Sequence, residues 1–309
     1  MTQEQPKIAV IGAGLMGHGI AYLFAAAGHK VRVHDIDADA LVALPDRIGS
    51  ICELLQTDTN IADRISGHGD IGVVVGDADF VFEAALENLA LKQDIFTQTE
   101  TLATETAILC SNTSVIPISD IAGNVKNKHR VVGTHFWNPP HLVRLVEVVL
   151  MGEENAPAAA KVEAVLKQVG QHPVRVNKDI PGFIGNRLQH ALKREAIAMV
   201  ASGVCDAQTI DDVVKMGFGA RMAVLGPMEQ SDLVGLDLTK AIHDTLMPDL
   251  DVTPVAHPFL DELVASGQLG MKSGQGLRRW GPGEADAVRQ RLAEFLASSA
   301  RQNGNKKNS

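Results

Sequence analysis

The chain has 309 residues, and its 28 Lys and Arg against 37 Asp and Glu give a formal net charge of −9. Apolar residues make up 45% and charged residues 21%, a globular balance that excludes a disordered chain, and the length predicts two domains. The acidic composition argues against a nucleic-acid partner, and no apolar run is long enough for a membrane span.

The three cysteines, Cys52, Cys110 and Cys205, are widely spaced and lack C-x-x-C spacing. We therefore expect neither a disulfide framework nor a metal site, and we interpret Cys110 and Cys205 as small core residues. The polar N-terminal stub leads directly into a strand-like run, so a signal peptide is not expected. These features predict a cytoplasmic protein.

The first part of the chain alternates predicted strands with helices. Residues 7–11 form a buried strand, residues 14–27 a helix that Gly28 ends, and residues 30–34 a second strand. Together they make a βαβ unit. Further strands are predicted at residues 80–83, 107–111, 131–135, 145–149 and 174–176, with a helix at 89–101. This rhythm indicates a Rossmann-type doubly wound sheet.

The alternation stops near Pro181. Apolar positions recur at helical spacing between residues 185 and 203, and no convincing strand follows. The predicted fold is therefore α/β: a dinucleotide-binding sheet domain over residues 1–182, then an all-helical domain over residues 183–300. Residues 301–309 are polar and small, and we expect a flexible tail.

A glycine-rich turn, G-A-G-L-M-G, follows the first strand and opens the first helix. Gly12 suits a tight turn, Gly14 lets a pyrophosphate approach the backbone, and Gly17 permits close packing of helix on sheet. The helix N-terminus, at Leu15 and Met16, supplies amide donors for phosphates. The context predicts a dinucleotide site.

The nature of the dinucleotide depends on Asp35, 23 positions after Gly12 at the end of the second strand. A carboxylate there accepts hydrogen bonds from a ribose diol and repels a 2′-phosphate, which favours NAD over NADP. Arg32 could serve a 2′-phosphate, but it is interpreted as a surface residue. His18 is a possible cofactor neighbour, although we expect an exposed helix histidine.

Four later stretches carry the polar residues for chemistry: S-N-T-S (111–114), H-F-W-N-P-P (135–140), L-V-E-V-V (145–149) and P-G-F-I-G-N-R (181–187). Ser114, His135 and Asn138 lie at or just beyond strand ends, where open α/β sheets bind ligands. A histidine can take the proton of a hydroxyl group that is being oxidised. Glu147, inside the following strand, could approach the same histidine from behind.

Alternative readings remain for these residues. Glu147 needs a partner if it is buried, and Arg144 competes with His135 for that role. Ser114 and Asn112 are also typical turn residues, and Asn186 could cap the helix that follows it.

In order along the chain, these stretches resemble the L-3-hydroxyacyl-CoA dehydrogenase family. The likeness runs from Lys7 to about Trp280 and also includes E-A-A-L-E-N-L-A-L-K (83–92), G-P-M-E-Q-S-D-L-V-G-L-D (226–237) and L-G-M-K-S-G-Q-G (269–276). The resemblance implies a Rossmann-type domain followed by a helical domain that commonly forms a homodimer. It also implies NAD-dependent oxidation of a secondary 3-hydroxyl to the 3-oxo form.

The family motifs imply roles for individual residues. His135 would be the catalytic base and Glu147 its carboxylate partner, while Ser114 and Asn186 would contact the reacting oxygen. The expected cofactor contacts in this part of the chain are Glu87, Lys92 and Asn112, and Asn138 is a further expected substrate contact.

Three departures from the family bear on the substrate. The segment between Asp35 and Asp79 contains no lysine and only two arginines, Arg47 and Arg64, whereas CoA-using relatives carry a longer hairpin here with serine and lysine contacts to CoA. H-F-W-N-P-P-H-L-V-R replaces a typical H-F-F-N-P followed by methionine and lysine. Residues 217–227 resemble the branch that acts on free hydroxy acids, such as carnitine or gulonate dehydrogenases.

In that branch Arg221 could bind a substrate carboxylate as a bidentate fork, although an inter-domain or dimer salt bridge explains it equally well. The substrate is thus either a 3-hydroxyacyl-CoA thioester or a small free hydroxy acid. A non-catalytic NAD-binding structural protein is a further alternative. The presence together of Ser114, His135, Glu147 and Asn186 argues against that alternative.

Overall fold

The computed structural model describes the backbone of residues 5–305 and the side chains of residues 5–300. The chain forms two compact units. The first comprises the chain up to Asn186 and from Ala293 onward, and the second comprises Arg187–Leu292.

The first unit is built on one sheet of eight strands. In chain order these are β1 (Ile8–Ile11), β2 (Val31–His34), β3 (Ile65–His68), β4 (Phe80–Glu83), β5 (Ile108–Ser111), β6 (Val131–Phe136), β7 (Leu145–Val149) and β8 (His172–Val176). Their order across the sheet is β3-β2-β1-β4-β5-β6-β7-β8. All neighbours are parallel except β6 and β7, which are antiparallel. The order reverses between β1 and β4, which is where such sheets bind dinucleotides.

Helices cover both faces of this sheet. They are α1 (Leu15–Ala26), α2 (Ala38–Val42), α3 (Leu44–Leu55), α4 (Ile71–Val75), α5 (Leu89–Leu102), α6 (Ile118–Ile121) and α7 (Ala156–Gln168). One apolar core lies under α1, α3 and α7 and includes Phe24, Phe82 and Phe136. The second lies under α4, α5 and α6 and includes Phe96 and Leu109. The strands β1, β4 and β5 are buried along their whole length, because helices cover a parallel sheet on both sides.

The predicted α/β fold with a Rossmann-type sheet is confirmed, and seven of its strands lie where the sequence places them. The sequence analysis missed β3, an edge strand with the sequence I-S-G-H. Its residues are half-buried or exposed, so it carries neither an apolar run nor a clear alternation.

The second unit contains helices and 3₁₀ turns. Its helices are α8 (Gly185–Ala201, which begins in the first unit), α9 (Ala207–Met216), α10 (Pro227–Val234), α11 (Leu236–Leu246) and α12 (Pro258–Ala265). Extended pairing in this unit is limited to isolated bridges at Gly270, Gln275 and Arg279. No residue from Arg187 to Leu292 is buried in the described chain.

The last helix, α13 (Glu284–Asn305), returns to the first unit from Ala293 onward. Residues 301–305, which were expected to belong to a flexible tail, continue this helix. Residues 306–309 lie outside the described part of the chain. Among the helices described, none combines the length and the apolar character needed to cross a membrane.

Candidate active site

The turn between β1 and α1 has the geometry of a phosphate-binding loop. Gly12 has φ +101°, and a Cβ there would lie 2.7 Å from the carbonyl oxygen of Ala84. A Cβ on Gly17 would overlap the Gly12 carbonyl oxygen, whereas a Cβ on Gly14 would have no neighbour within 4 Å. The turn is therefore closed on its protein side and open at Gly14. Leu15 and Met16 begin the helix, whose first amides have no intrahelical acceptor.

Asp35 follows β2 beside this turn. Its Oδ2 accepts the amide N–H of Ala13 at 2.7 Å, and its Oδ1 accepts the amide N–H of Asp37 at 2.9 Å. The carboxylate is thereby fixed against the glycine turn and remains half-exposed. Arg32 points elsewhere: its guanidinium pairs with Asp77, and its Nη1 donates to the Val73 carbonyl oxygen.

A buried network joins the ends of β4 and β5. Lys92 is 1% exposed, and its Nζ donates to Glu83 Oε1 at 2.7 Å. The other oxygen of Glu83 accepts the Ser111 hydroxyl. Lys92 also lies 3.5 Å from Glu87. The ammonium group of Lys92 is enclosed, so its charge acts through the two carboxylates that it contacts.

Glu87 holds the backbone of the loop after β5. One carboxylate oxygen accepts the Thr113 hydroxyl and the amides of Ser114 and Val115 at 2.7, 2.8 and 3.1 Å. Burial alone would raise the pKa of Glu87, but these hydrogen bonds and the nearby charge of Lys92 hold that pKa below its ordinary value. The position of Ser114 is therefore set by Glu87.

Asn112 and Asn186 also fix this loop. Asn112 Oδ1 accepts the amide of Phe136 at 2.9 Å, which ties β5 to the end of β6. Asn186 Nδ2 donates to the Ser114 carbonyl oxygen at 2.9 Å. Asn186 is the second residue of α8 and its amide donates. The structure thus brings Asn186 to Ser114 and does not use it as a helix cap.

His135 and Glu147 face each other across the antiparallel pair β6 and β7, where they are directly opposed in register. The imidazole Nδ1–H donates to Glu147 Oε2 at 2.8 Å, while Glu147 Oε1 accepts the amides of Ile184 and Gly185. Burial alone raises the pKa of Glu147, but these hydrogen bonds lower it overall. Arg144, the alternative partner, donates to the Gly170 carbonyl oxygen instead.

The second imidazole nitrogen of His135 remains available. His135 is buried between the rings of Trp137 and Phe183, at centroid distances of 5.6 and 5.8 Å. Its Nε2 has no hydrogen-bond partner among the described residues and is not enclosed. Because the carboxylate fixes the proton on Nδ1, the free Nε2 is the acceptor that a general base needs.

Two expected substrate contacts take no part in the hydrogen bonds of this network. Asn138 is exposed on the loop after β6 and precedes a cis peptide bond to Pro139. Arg221 belongs to the second unit, is exposed, and makes no ion pair with the described residues.

Residues that the sequence analysis missed lie around the same loops. Glu83, Ser111 and Thr113 form the buried network, and their signal was the polar ending of two apolar strands. His18, expected to be exposed, is buried and donates its Nδ1–H to the Gly14 carbonyl oxygen at 2.8 Å. The expectation was wrong because a loop from a distant part of the chain covers the first turns of α1.

These residues fit a bound NAD. The turn is open at Gly14, where a pyrophosphate would approach, and its helix N-terminus offers free amides. The fixed Asp35 carboxylate beside the turn is a group that could accept hydrogen bonds from a ribose diol. A paired histidine with one free nitrogen lies at the same edge of the sheet. This combination suits removal of a proton from a hydroxyl group while hydride leaves the same carbon.

Comparisons with known proteins identify the family of this chain. Residues 7–180 match the family model of the 3-hydroxyacyl-CoA dehydrogenase NAD-binding domain, and residues 182–280 match the model of its C-terminal domain. A probable 3-hydroxybutyryl-CoA dehydrogenase of Bacillus subtilis is 36% identical over 282 residues, covering 88% of this chain and 96% of the relative.

A second relative matches over more of the chain. The 5-formyl-3-hydroxy-2-methylpyridine 4-carboxylate 5-dehydrogenase of Mesorhizobium japonicum is 35% identical over 302 residues, covering 96% of this chain and 97% of the relative. A crystal structure described as this type of enzyme, an NAD⁺-dependent dismutase, superimposes with a TM-score of 0.88 at 32% identity, covering 97% and 99% of the two chains. The chain belongs to the 3-hydroxyacyl-CoA dehydrogenase family and is an NAD-dependent dehydrogenase that acts on a CH–OH group.

Proposed function

We propose that this enzyme oxidises the secondary 3-hydroxyl of a 3-hydroxyacyl substrate to the 3-oxo form, with His135 as the catalytic base. The observation that carries the proposal is the His135–Glu147 pair. Glu147 Oε2 lies 2.8 Å from His135 Nδ1 and holds the proton on that nitrogen, which leaves Nε2 free. The Bacillus subtilis relative, named as a probable 3-hydroxybutyryl-CoA dehydrogenase, supports the choice of substrate.

In the proposed mechanism, Nε2 of His135 accepts the hydroxyl proton, and the Glu147 carboxylate stabilises the imidazolium that results. The Ser114 hydroxyl and the Asn186 amide hold the substrate oxygen and stabilise partial charge on it. When bound, the nicotinamide of NAD supplies the acceptor for the hydride. Glu87 keeps Ser114 in place through three hydrogen bonds.

The cofactor contacts follow from the glycine turn. Gly12, Gly14 and Gly17 shape it, and the amides of Leu15 and Met16 donate to the phosphates. Asp35 accepts the ribose hydroxyls. Glu87, Asn112 and the enclosed Lys92 support the nicotinamide side of the site, Lys92 through the carboxylates that it pairs with.

A small free acid is the second candidate substrate. Two observations favour it: residues 36–78 contain no lysine that could contact CoA, and the relative that matches 96% of the chain is named for a pyridine carboxylate. Arg221, which is exposed and unpaired in the described chain, would grip the carboxylate as a fork. In this case Arg221→Lys raises KM strongly for a hydroxy acid, and Asn138 is a further substrate contact.

The enzyme is also proposed to be a homodimer that forms through its second unit. That unit spans Arg187–Leu292 without a single buried residue, and it exposes large apolar side chains on α10 and α11. A unit of this size normally buries a core of its own.

The three free cysteines, two of them buried, fit a reducing compartment such as the cytoplasm.

The proposed role of His135 is tested with His135→Ala. We expect alcohol oxidation to fall by about 10²–10⁴-fold, the usual contribution of a positioned general base, while the affinity for NADH is retained. NADH formation is followed with 3-hydroxybutyryl-CoA and with 3-hydroxybutyrate. The exposed histidine His172 provides the matched control, His172→Ala, which should keep wild-type turnover. Wild-type turnover in His135→Ala would contradict the mechanism.

A further inference from the structure

A cluster of three polar side chains, His18, Arg47 and His141, lies beside the glycine turn and has no role in the proposed mechanism. Arg47, on α3, donates its Nη1–H to the Ala13 carbonyl oxygen at 2.8 Å. His18, on α1, donates to the next carbonyl oxygen, that of Gly14, also at 2.8 Å. The Arg47 charge lies close enough to act on the His18 imidazole, and each side chain retains polar atoms that have no hydrogen-bond partner among the described residues.

His141 reaches the same place from the loop that follows β6. Pro140 and His141 pack on Gly19 of α1, where an added Cβ would lie 2.6 Å from Pro140 Cγ and 3.2 Å from His141 Nδ1. His141 also makes an edge contact with the ring of Tyr22. The loop that follows β6 therefore packs on α1 close to His18.

The Nε2 atoms of His141 and His18 are accessible and have no hydrogen-bond partner among the described residues. His141 Nδ1 is buried without a partner, so a proton on this ring is better placed on Nε2, which is open. His18 Nδ1 is occupied by Gly14, which leaves its Nε2 open as well. Burial, and secondarily the neighbouring His18, lowers the pKa of His141 to about 4. At neutral pH it therefore presents a neutral N–H donor.

Of the three cluster side chains, Arg47 carries the permanent positive charge. Arg47 makes no ion pair with the described carboxylates and uses one of its five N–H donors. The other titratable groups recorded around the cluster are Tyr22, whose hydroxyl bonds to Thr57, Cys52, and Asp35, whose carboxylate accepts the amide N–H of Ala13. Burial first, and then the nearby Arg47 charge, lower the pKa of His18 despite its bond to Gly14. An arginine with free donors beside imidazole N–H groups is the donor set that binds a carboxylate.

We propose that His18, Arg47 and His141 form an anion-recognition cluster that holds the carboxylate of a small acidic substrate. The cluster and His135 share the carboxyl edge of the sheet and are joined by residues 136–141. Arg47 supplies the charge and His141 a neutral donor, while His18 gains a proton when the anion arrives. This inference rests on the proposed function and names the substrate as an acid rather than a CoA thioester.

The same chemistry could serve the pyrophosphate of the cofactor, since Arg47 touches the glycine turn. The two sources are separated by measuring the affinity for NADH and the affinity for an acid independently. The probes are acetoacetate and its neutral analogue acetoacetamide, titrated calorimetrically into the enzyme saturated with NAD⁺. Both the cofactor and the probes are then oxidised, so no turnover occurs.

We expect the wild type to bind acetoacetate more tightly than acetoacetamide. Arg47→Gln and His141→Phe should weaken acetoacetate about 10-fold, the lower range for a hydrogen bond to a charged group, and leave acetoacetamide and NADH within about 2-fold. Titrations in two buffers of different ionisation enthalpy should show proton uptake with acetoacetate, which His18→Phe abolishes. Arg64→Gln and His172→Phe are the matched controls, and both should behave as the wild type.

Other outcomes decide against the proposal. Unchanged acid affinity in all three variants overturns it and leaves Arg221 as the carboxylate contact. A loss of NADH affinity in Arg47→Gln with unchanged acid affinity assigns the cluster to the pyrophosphate and overturns it as well. Reduction of acetoacetyl-CoA by NADH without binding of acetoacetate overturns the cluster but preserves the proposed function. Failure to reduce any of the three 3-oxo compounds overturns both.

Discussion

Two carboxylates illustrate what single positions reveal. Asp35 and Glu147 are foreseeable from sequence because one ends a strand and the other interrupts an apolar one, and a buried carboxylate needs a partner. Their partners, the Ala13 amide and the His135 imidazole, follow from strands that share an edge. The burial of His18 does not follow from its own helix. It depends on a loop near residue 140 that folds back over α1.

Asp35 leads to a prediction on cofactor choice. We expect the wild type to prefer NAD over NADP by at least about 10-fold, because a fixed carboxylate beside the ribose repels a 2′-phosphate. Asp35→Ala should narrow this preference, mainly by weakening NAD. Cofactor titration followed by calorimetry measures both affinities. Equal or tighter binding of NADP by the wild type would remove Asp35 from this role.

Whole elements are predicted well where burial is continuous. β1, β4 and β5 are apolar from end to end, so their sequence alone indicates a covered parallel sheet. The edge strand β3 is not predicted from sequence, because its residues are half-buried or exposed and its pairing with β2 comes from backbone hydrogen bonds. The hydrogen bond from Asn186 to Ser114 is not predictable for a related reason. The sequence pattern predicts the helix, but it does not indicate which residues the first turn of that helix contacts.

The close packing of the loop that follows β6 on α1 leads to a prediction about stability. Gly19→Ala places a Cβ against Pro140 Cγ and His141, and overpacking of this kind costs about 1–3 kcal/mol. Gly49→Ala is the matched control on α3, where an added Cβ meets nothing within 4 Å. It should leave the stability unchanged or raise it by up to about 1 kcal/mol, since alanine is the better helix former. Thermal unfolding distinguishes the two, and equal Tm values would contradict the close packing.

The hydrogen bonds of Glu147 join β6, β7 and the start of α8, and they predict a dependence of stability on pH. The pKa of Glu147 is lower in the folded chain than in the unfolded one, where glutamate titrates near about 4.3. Its stabilisation is therefore complete above that pH and is lost as the pH falls through the folded-state pKa. Glu147→Gln should be less stable at pH 7 and lose less stability between roughly pH 5 and pH 3. Denaturant titrations of both proteins at several pH values give the free energy of unfolding as a function of pH. An identical loss of unfolding free energy between these pH values in the two proteins would contradict the prediction.

At the scale of the whole molecule, the two units differ in how they bury apolar surface. The first contains two apolar cores, one on each face of its sheet. The second has no buried residue, although its helices carry many large apolar side chains. Sequence periodicity finds those helices, but it cannot distinguish an apolar face that packs within one chain from one that packs against another chain.

On α11, Leu238, Ile242 and Leu246 recur at four-residue spacing, and each is nearly half exposed. A continuous apolar stripe of this kind is typical of a subunit interface. We expect light scattering to give a mass of twice 32.9 kDa for the wild type. Ile242→Glu should shift the mass towards one chain and lower Tm, because it introduces an unpaired charge into that interface. Lys240→Glu, on the polar side of the same helix, should remain dimeric. A wild-type mass of 32.9 kDa at micromolar concentration would contradict the homodimer.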